Sequence, residues 1–283
     1  MTSPSQDSED LALLIDAARA AGALLKAKFG QSVETWSKGA DGPVTEVDLA
    51  ADALLKDALR GARPDYGWLS EETADTPDRL AAERIFIVDP LDGTRAFLAG
   101  IPEFCVSVAV AAAGAATAGV VYNPIHDELY AAFAGGGTTL NGAPIKVSTR
   151  AELDGARMIG GAGFYTDHRW PVPWPSLIAT RVQALAYRLA LISGGAHDGM
   201  VALGFKNDWD VAAGALLVTE AGGCVTDPFG AAFAFNRPQP RQNGAVAAGP
   251  ALHPLLIERV RRTPHPAAFE RAASGERAED SAS

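Results

Sequence analysis

The stretch from Ile85 to Phe97 reads Ile-Phe-Ile-Val-Asp-Pro-Leu-Asp-Gly-Thr-Arg-Ala-Phe. Its first four residues are apolar and three of them are β-branched, which specifies a buried strand. The strand is expected to end at Asp89, because Pro90 has no N–H to give to a ladder. Asp92 follows three residues later, and Gly93-Thr94 makes a tight turn with free backbone N–H groups. Any fold of this chain must therefore carry two carboxylates at the mouth of a buried strand, beside a cradle of donors. Carboxylate oxygens suit hard divalent cations, and exposed N–H groups suit phosphate. The combination points to a metal-dependent phosphatase.

Bulk properties narrow the partners. A chain of 283 residues without an obvious linker is one large domain or two closely joined halves. A formal charge of −10 argues against a nucleic-acid polymer, which needs clustered Lys and Arg. It leaves room for a small phosphorylated metabolite, since bound cations supply local positive charge. The two cysteines, Cys105 and Cys224, sit in apolar runs and read as buried, reduced thiols. No segment reaches the ~20 apolar residues of a membrane span. The start is acidic (Asp7, Glu9, Asp10), unlike a signal peptide. The expectation is a soluble cytoplasmic protein without a membrane partner.

Residues 1–7 are expected to be frayed. Leu11, Leu14, Ala18, Ala21 and Leu25 recur at helical spacing, which predicts an amphipathic helix from Ser8 to Phe29, stopped at Gly30. A second helix opens at Thr45 and runs to Arg60. Thr45 and Asp48 have the spacing of a capping box, so Asp48 reads equally as a helix-end charge or as part of a site. Tyr66–Leu69 is a short strand ending in Ser70-Glu71-Glu72. After the opening stretch the pattern is antiparallel β, through 104–112, 118–123 and 128–133 to an Asn141-Gly142 hairpin turn. The second half alternates: strands at 156–160, 181–185 and 200–205, a helix at 187–193, and a helix opened by Asp208-Trp209-Asp210 and stopped by Gly222-Gly223. Short strands at 224–227 and 245–248 and a helix at 250–261 follow. The division is an N-terminal α+β half (8–150), a C-terminal α/β half (151–263) and a disordered tail (264–283). Gly160-Gly161-Ala162-Gly163 lacks the spacing of a dinucleotide fingerprint and reads as a turn.

Glu71, Asp89, Asp92 and Asp210 each sit at the end of an element. If they converge, a cation is nearly obligatory, since two carboxylates ~4 Å apart repel by about 4 kcal/mol at an effective dielectric near 20. Aspartyl-nucleophile phosphatases of the haloacid-dehalogenase type are excluded, because their two Asp are two residues apart and these are three. An EF-hand counted from Asp89 would place Leu91 and Gly93 at ligand positions, so calcium sensing is excluded too.

Asp89-Pro-Leu-Asp92-Gly-Thr94, Trp209-Asp210-Val-Ala-Ala-Gly214 and the Glu71-Glu72 pair together resemble the inositol monophosphatase family, the lithium-sensitive metal-dependent phosphomonoesterases. The match in order and spacing runs from about Leu11 to Val260. The resemblance implies a layered αβαβα sandwich with the site between the halves, and two to three Mg²⁺ ions. By position it implies that Glu71, Asp89 and the Leu91 carbonyl hold one ion and Asp89, Asp92 and Asp210 a second, with Glu71 near a third. It implies that Gly93 and Thr94 bind phosphate, and that Thr94, oriented by Asp48, and Glu71 activate a water for in-line attack without a phosphoenzyme. Relatives occur as monomers and dimers, so a homodimer is permitted.

The substrate is read from positions outside these motifs. Inositol monophosphatases carry a Glu seven residues before the second-motif Asp, and here that residue is Leu203. The 3′(2′),5′-bisphosphate nucleotidases carry Ser before the Glu-Glu pair, as Ser70 does here, and a Thr-Lys-Glu-Phe-like continuation closer to Thr94-Arg95-Ala96-Phe97. Arg188 matches a Lys that such enzymes bear, and reads either as a grip on a second phosphate or as a solvated helix charge. The leading expectation is hydrolysis of 3′-phosphoadenosine 5′-phosphate to AMP. Inositol monophosphate or another small sugar phosphate is the alternative substrate. A phosphonucleotide-binding protein without turnover is the alternative of another class.

Overall fold

The computed structural model describes residues 4–37, 39, 42–168 and 170–262. The tail at 264–283 and residues 1–3 lie outside the described residues. The chain begins with α1 (Pro4–Lys28), a two-stranded ribbon of β1 (Thr35–Ser37) and β2 (Pro43–Thr45), and α2 (Glu46–Ala62). A seven-stranded sheet follows in simple chain order: β3 (Gly67–Ser70), β4 (Arg84–Asp92), β5 (Cys105–Ala112), β6 (Ala115–Asn123), β7 (Glu128–Phe133), β8 (Gly137–Leu140) and β9 (Ala143–Ile145), with α3 (Thr94–Leu98) between β4 and β5. The second half supplies β10 (Ala156–Ile159), α4 (Ala162–Tyr165), β11 (Leu177–Thr180), α5 (Leu185–Ser193), β12 (Gly199–Asn207), α6 (Asp208–Glu220), β13 (Cys224–Thr226), β14 (Arg241–Ala248) and α7 (His253–Arg261). Its five strands are ordered β11-β10-β12-β14-β13.

Alternation along the strands builds the layers. On β4, Phe86 and Val88 face α1 and α2, meeting Leu14, Leu25, Leu55 and Leu59. Ile85 and Ile87 point the other way, into a core shared with α5, α6 and the second sheet. On β12, Met200 and Ala202 join that central core while Val201 faces α7 with Leu256 and Val260. The result is helix, sheet, helix, sheet, helix: the αβαβα sandwich. α6 occupies the middle layer because it is apolar on nearly every side, from Val211 through Val218. Each fully buried Leu or Val there contributes roughly 1.5–3 kcal/mol of transfer free energy. Among the described residues, no helix is long and apolar enough to cross a membrane.

The structure corrects four local expectations. The N-terminus is helical from Pro4, and Asp7 and Asp10 are buried where they bind the Arg84 guanidinium at 2.8 and 3.0 Å. β4 does not stop at Asp89. It continues to Asp92 through a register shift against β5, and that bulge accommodates Pro90. The sheet that holds the acidic strand ends, expected to be antiparallel throughout, has β3 paired with β4 in parallel. No strand forms at 181–185: the strand is β11, just before it. Val182 and Ala184 are buried as an alternating pattern requires, but the carbonyls of Val182 and Gln183 accept from the Arg188 side chain instead of a ladder.

Candidate active site

The site grows from the bulge of β4. Asp89 Oδ1 accepts the N–H of Leu91 at 3.1 Å across the bulge at Pro90, and both Asp89 and Asp92 reach one cavity. Gly93 then takes a left-handed conformation (φ 96°). A Cβ there would lie 3.0 Å from the Glu103 carbonyl and 3.1 Å from the Ala184 methyl, so only glycine fits this turn. α3 starts immediately at Thr94, whose hydroxyl lies 3.0 Å from Asp48 Oδ1 and 3.2 Å from the Leu91 carbonyl.

Asp48 serves two purposes at once. Its Oδ2 accepts from the Thr45 backbone N–H and hydroxyl, closing the capping box of α2, while its Oδ1 reaches Thr94. The two readings that the sequence left open are both realised as contacts. Asp210 is similar: it closes a capping box with Asn207 at the start of α6, its Oδ2 accepting the Asn207 N–H at 2.7 Å. Asp92 Oδ2 accepts the N–H of Ala186 at 2.6 Å, so the start of α5 anchors it. Glu71 follows the end of β3 and donates its N–H to the Val88 carbonyl.

Glu71, Asp89, Leu91, Asp92, Gly93, Thr94 and Asp210 line one cavity of about 270 Å³ together with Pro43, Arg95 and Gln183. Asp48 stands behind Thr94. Arg188 is not brought into the cavity, since its Nε and Nη2 donate to the carbonyls of Val182 and Gln183 at 2.6 and 3.0 Å. Sequence reasoning passed over three lining residues. Arg95 stands in the Thr94–Phe97 continuation that bears on the substrate, and Pro43 ends a polar, glycine-rich stretch of the kind that carries function when the fold brings it to a site. Gln183 carries no signal, lying in the stretch expected to be a strand.

The charges repel one another. Burial, then the charges of Glu71, Asp92, Asp210 and Asp48, hold the Asp89 carboxyl well above the usual carboxylate range. Burial pushes Asp92 up to about 7, against the opposing N–H groups of Ala186 and Leu185. Burial and the Asp92 charge push Asp210 up to about 7 as well. Asp92 and Asp210 keep part of their surface open toward the cavity. Among the described residues, no three His, Cys, Asp or Glu side chains are already gathered closely enough to hold an ion alone. An open ring of oxygens around a cavity with room for water fits Mg²⁺, which keeps several waters and takes only one or two carboxylates per ion. It would not fit a thiolate- or imidazole-preferring ion.

The model of the inositol monophosphatase family matches residues 6–265. The chain belongs to the inositol monophosphatase family. It is 36% identical over 236 residues to inositol monophosphatase 1 of Solanum lycopersicum, covering 80% of this chain and 86% of that one. It is 34% identical over 228 residues to the Nus factor SuhB of Escherichia coli K12, covering 77% and 84%. Among solved structures, the extragenic suppressor protein suhB of Bartonella henselae superposes with a TM-score of 0.79 at 32% identity, covering 90% of this chain and all of that one. The inositol monophosphatase of Thermotoga maritima superposes with a TM-score of 0.78 at 28% identity, covering 90% and 98%. Inositol monophosphatase family members hydrolyse phosphomonoesters of small molecules and are in general metal-dependent, so this chain is a phosphatase of that class.

Proposed function

We propose that this chain hydrolyses a small phosphomonoester in a Mg²⁺-loaded cavity. Glu71, Asp89, the Leu91 carbonyl, Asp92 and Asp210 would hold two to three cations. The observation that carries the reading is the convergence of four mutually repelling carboxylates on one cavity, from β4, α6 and the end of β3. When bound, the cations supply charge for the leaving oxygen and make a water more acidic. The chain's own residues do the rest. Gly93 and Thr94 present backbone N–H groups to the phosphate. The Thr94 hydroxyl is held by Asp48, which leaves its lone pairs to accept from a water, and Glu71 accepts the second proton of that water.

The proposed substrate is 3′-phosphoadenosine 5′-phosphate, whose second phosphate needs a cation. Arg95 supports this assignment in place of Arg188, because it lines the cavity beside Gly93 and Thr94. Leu203, on β12, packs with the apolar residues under α7 and offers no carboxylate for inositol hydroxyls. Inositol monophosphate is the second reading, supported by the names of the inositol monophosphatases at 36–37% identity. Steady-state phosphate release from both compounds, with Mg²⁺ or EDTA and with or without Li⁺, decides. Faster turnover of the bisphosphate, dependent on Mg²⁺ and inhibited by Li⁺, is expected. Equal or faster turnover of inositol monophosphate overturns the substrate, and no turnover of either favours a binding protein.

A further inference from the structure

α2 carries a second buried carboxylate one turn beyond Asp48. Asp52 is 7% exposed and does not line the cavity. Its Oδ1 accepts the Ser70 hydroxyl at 2.5 Å and its Oδ2 accepts the Thr73 hydroxyl at 2.6 Å. These two residues bracket Glu71 and Glu72. Ser70 Oγ also accepts the Glu72 N–H at 3.3 Å, so the turn is braced from within as well. Like charges four residues apart on a helix disfavour it. Here each carboxylate is instead met by hydroxyl donors from another segment, Thr94 for Asp48 and Ser70 with Thr73 for Asp52.

We propose that Asp52 is a positioning residue that sets Glu71 at the cavity by fastening both ends of the Ser70–Thr73 turn. One face of α2 then fixes two sides of the site: Asp48 through the hydroxyl of Thr94, and Asp52 through the turn that bears Glu71. The proposal rests on reading Glu71 as a cation ligand. Loosening the turn leaves the phosphate cradle at Gly93-Thr94 intact and weakens cation binding.

The test uses the full chain and the variants D52N, T73V, T73S and E71Q. Mn²⁺ binding is read by titration calorimetry, and the Mg²⁺ concentration for half-maximal phosphate release is read on the better substrate of the two above. D52N and T73V are expected to weaken Mn²⁺ binding and raise the Mg²⁺ requirement by about 10-fold or more, the range typical of partners that orient a ligand. KM at saturating cation stays unchanged, and T73S, which restores the hydroxyl, behaves as wild type. A folded D52N or T73V with wild-type Mn²⁺ affinity overturns the proposal. If D52N does not fold, the T73V and T73S pair decides. E71Q separates the two levels: wild-type Mn²⁺ affinity in E71Q removes Glu71 as a ligand, whatever D52N does.

Discussion

The hydroxyl of Thr94 has one proton and two acceptors, Asp48 Oδ1 at 3.0 Å and the Leu91 carbonyl at 3.2 Å. The proton is committed to one of them, and the oxygen's lone pairs are left for the cavity. Replacing Thr94 with Val keeps the shape and removes that acceptor. T94V is expected to lower kcat by about 10²–10⁴-fold, the usual span for a lost proton-transfer group. T94S is expected to keep most activity. A T94V enzyme with wild-type kcat would remove Thr94 from the mechanism.

Burial of the cavity's carboxylates, with their mutual repulsion, shapes the stability of the metal-free protein. Asp92 and Asp210 move from 3.8 to about 7 in the folded chain. A carboxyl whose pKa is raised by folding contributes stability below its unfolded value and loses it as pH rises through its folded value. In EDTA, Tm should therefore fall as pH rises from about 4 to about 7. Mg²⁺ binds the deprotonated groups, so the gain in Tm on adding it should widen across the same window. Scanning calorimetry with and without Mg²⁺ checks this, and a gain that narrows with pH contradicts it.

Asp210 offers a trade between stability and activity. An Asn at 210 keeps an oxygen for the Asn207 N–H, so the start of α6 survives. It removes one of the repelling charges. D210N should melt a few degrees higher than wild type in EDTA at neutral pH, yet gain less on adding Mg²⁺. Its activity should drop by at least about 100-fold, beyond the 10–100-fold cost of an outer-shell partner. A variant that is both more stable and fully active would refute the ligand role.

Far from the cavity, Arg84 holds Asp7 and Asp10, which are 1% and 0% exposed. Asp10 also takes the Tyr66 hydroxyl at 2.9 Å and the Arg63 Nε at 3.2 Å, so it keeps partners when Arg84 is lost, whereas among the described residues the cation that Asp7 pairs with is Arg84. R84M leaves a buried carboxylate without its cation. Urea unfolding should show a loss of about 3–5 kcal/mol. A loss under about 1 kcal/mol would place this network among ordinary surface pairs.

The features legible in the sequence are those that local chemistry settles. The Thr45–Asp48 capping box, the glycine at 93 and the Asn141-Gly142 turn need only neighbouring residues to explain them. The failures have tertiary causes. The acids at positions 7 and 10 look like a solvated end until Arg84 arrives from β4 to neutralise them. The alternation at 181–185 is real burial, but a side chain from α5 takes the carbonyls that a neighbouring strand would have taken. The cavity's acids were visible as element ends, whereas Arg95, Gln183 and the Asp52 clamp depend on which segments meet.

The groups at the cavity come from residues as far apart as Glu71 and Asp210. A cation seated among them acts as a reversible crosslink between distant parts of the chain. Without it the ligands push each other apart, so the crosslink would form only once the two sheets have docked on α5 and α6. Interactions missing from the folding transition state slow unfolding and leave refolding untouched. Mg²⁺ would then govern how long a folded molecule lasts, and the apolar middle layer how fast one is made.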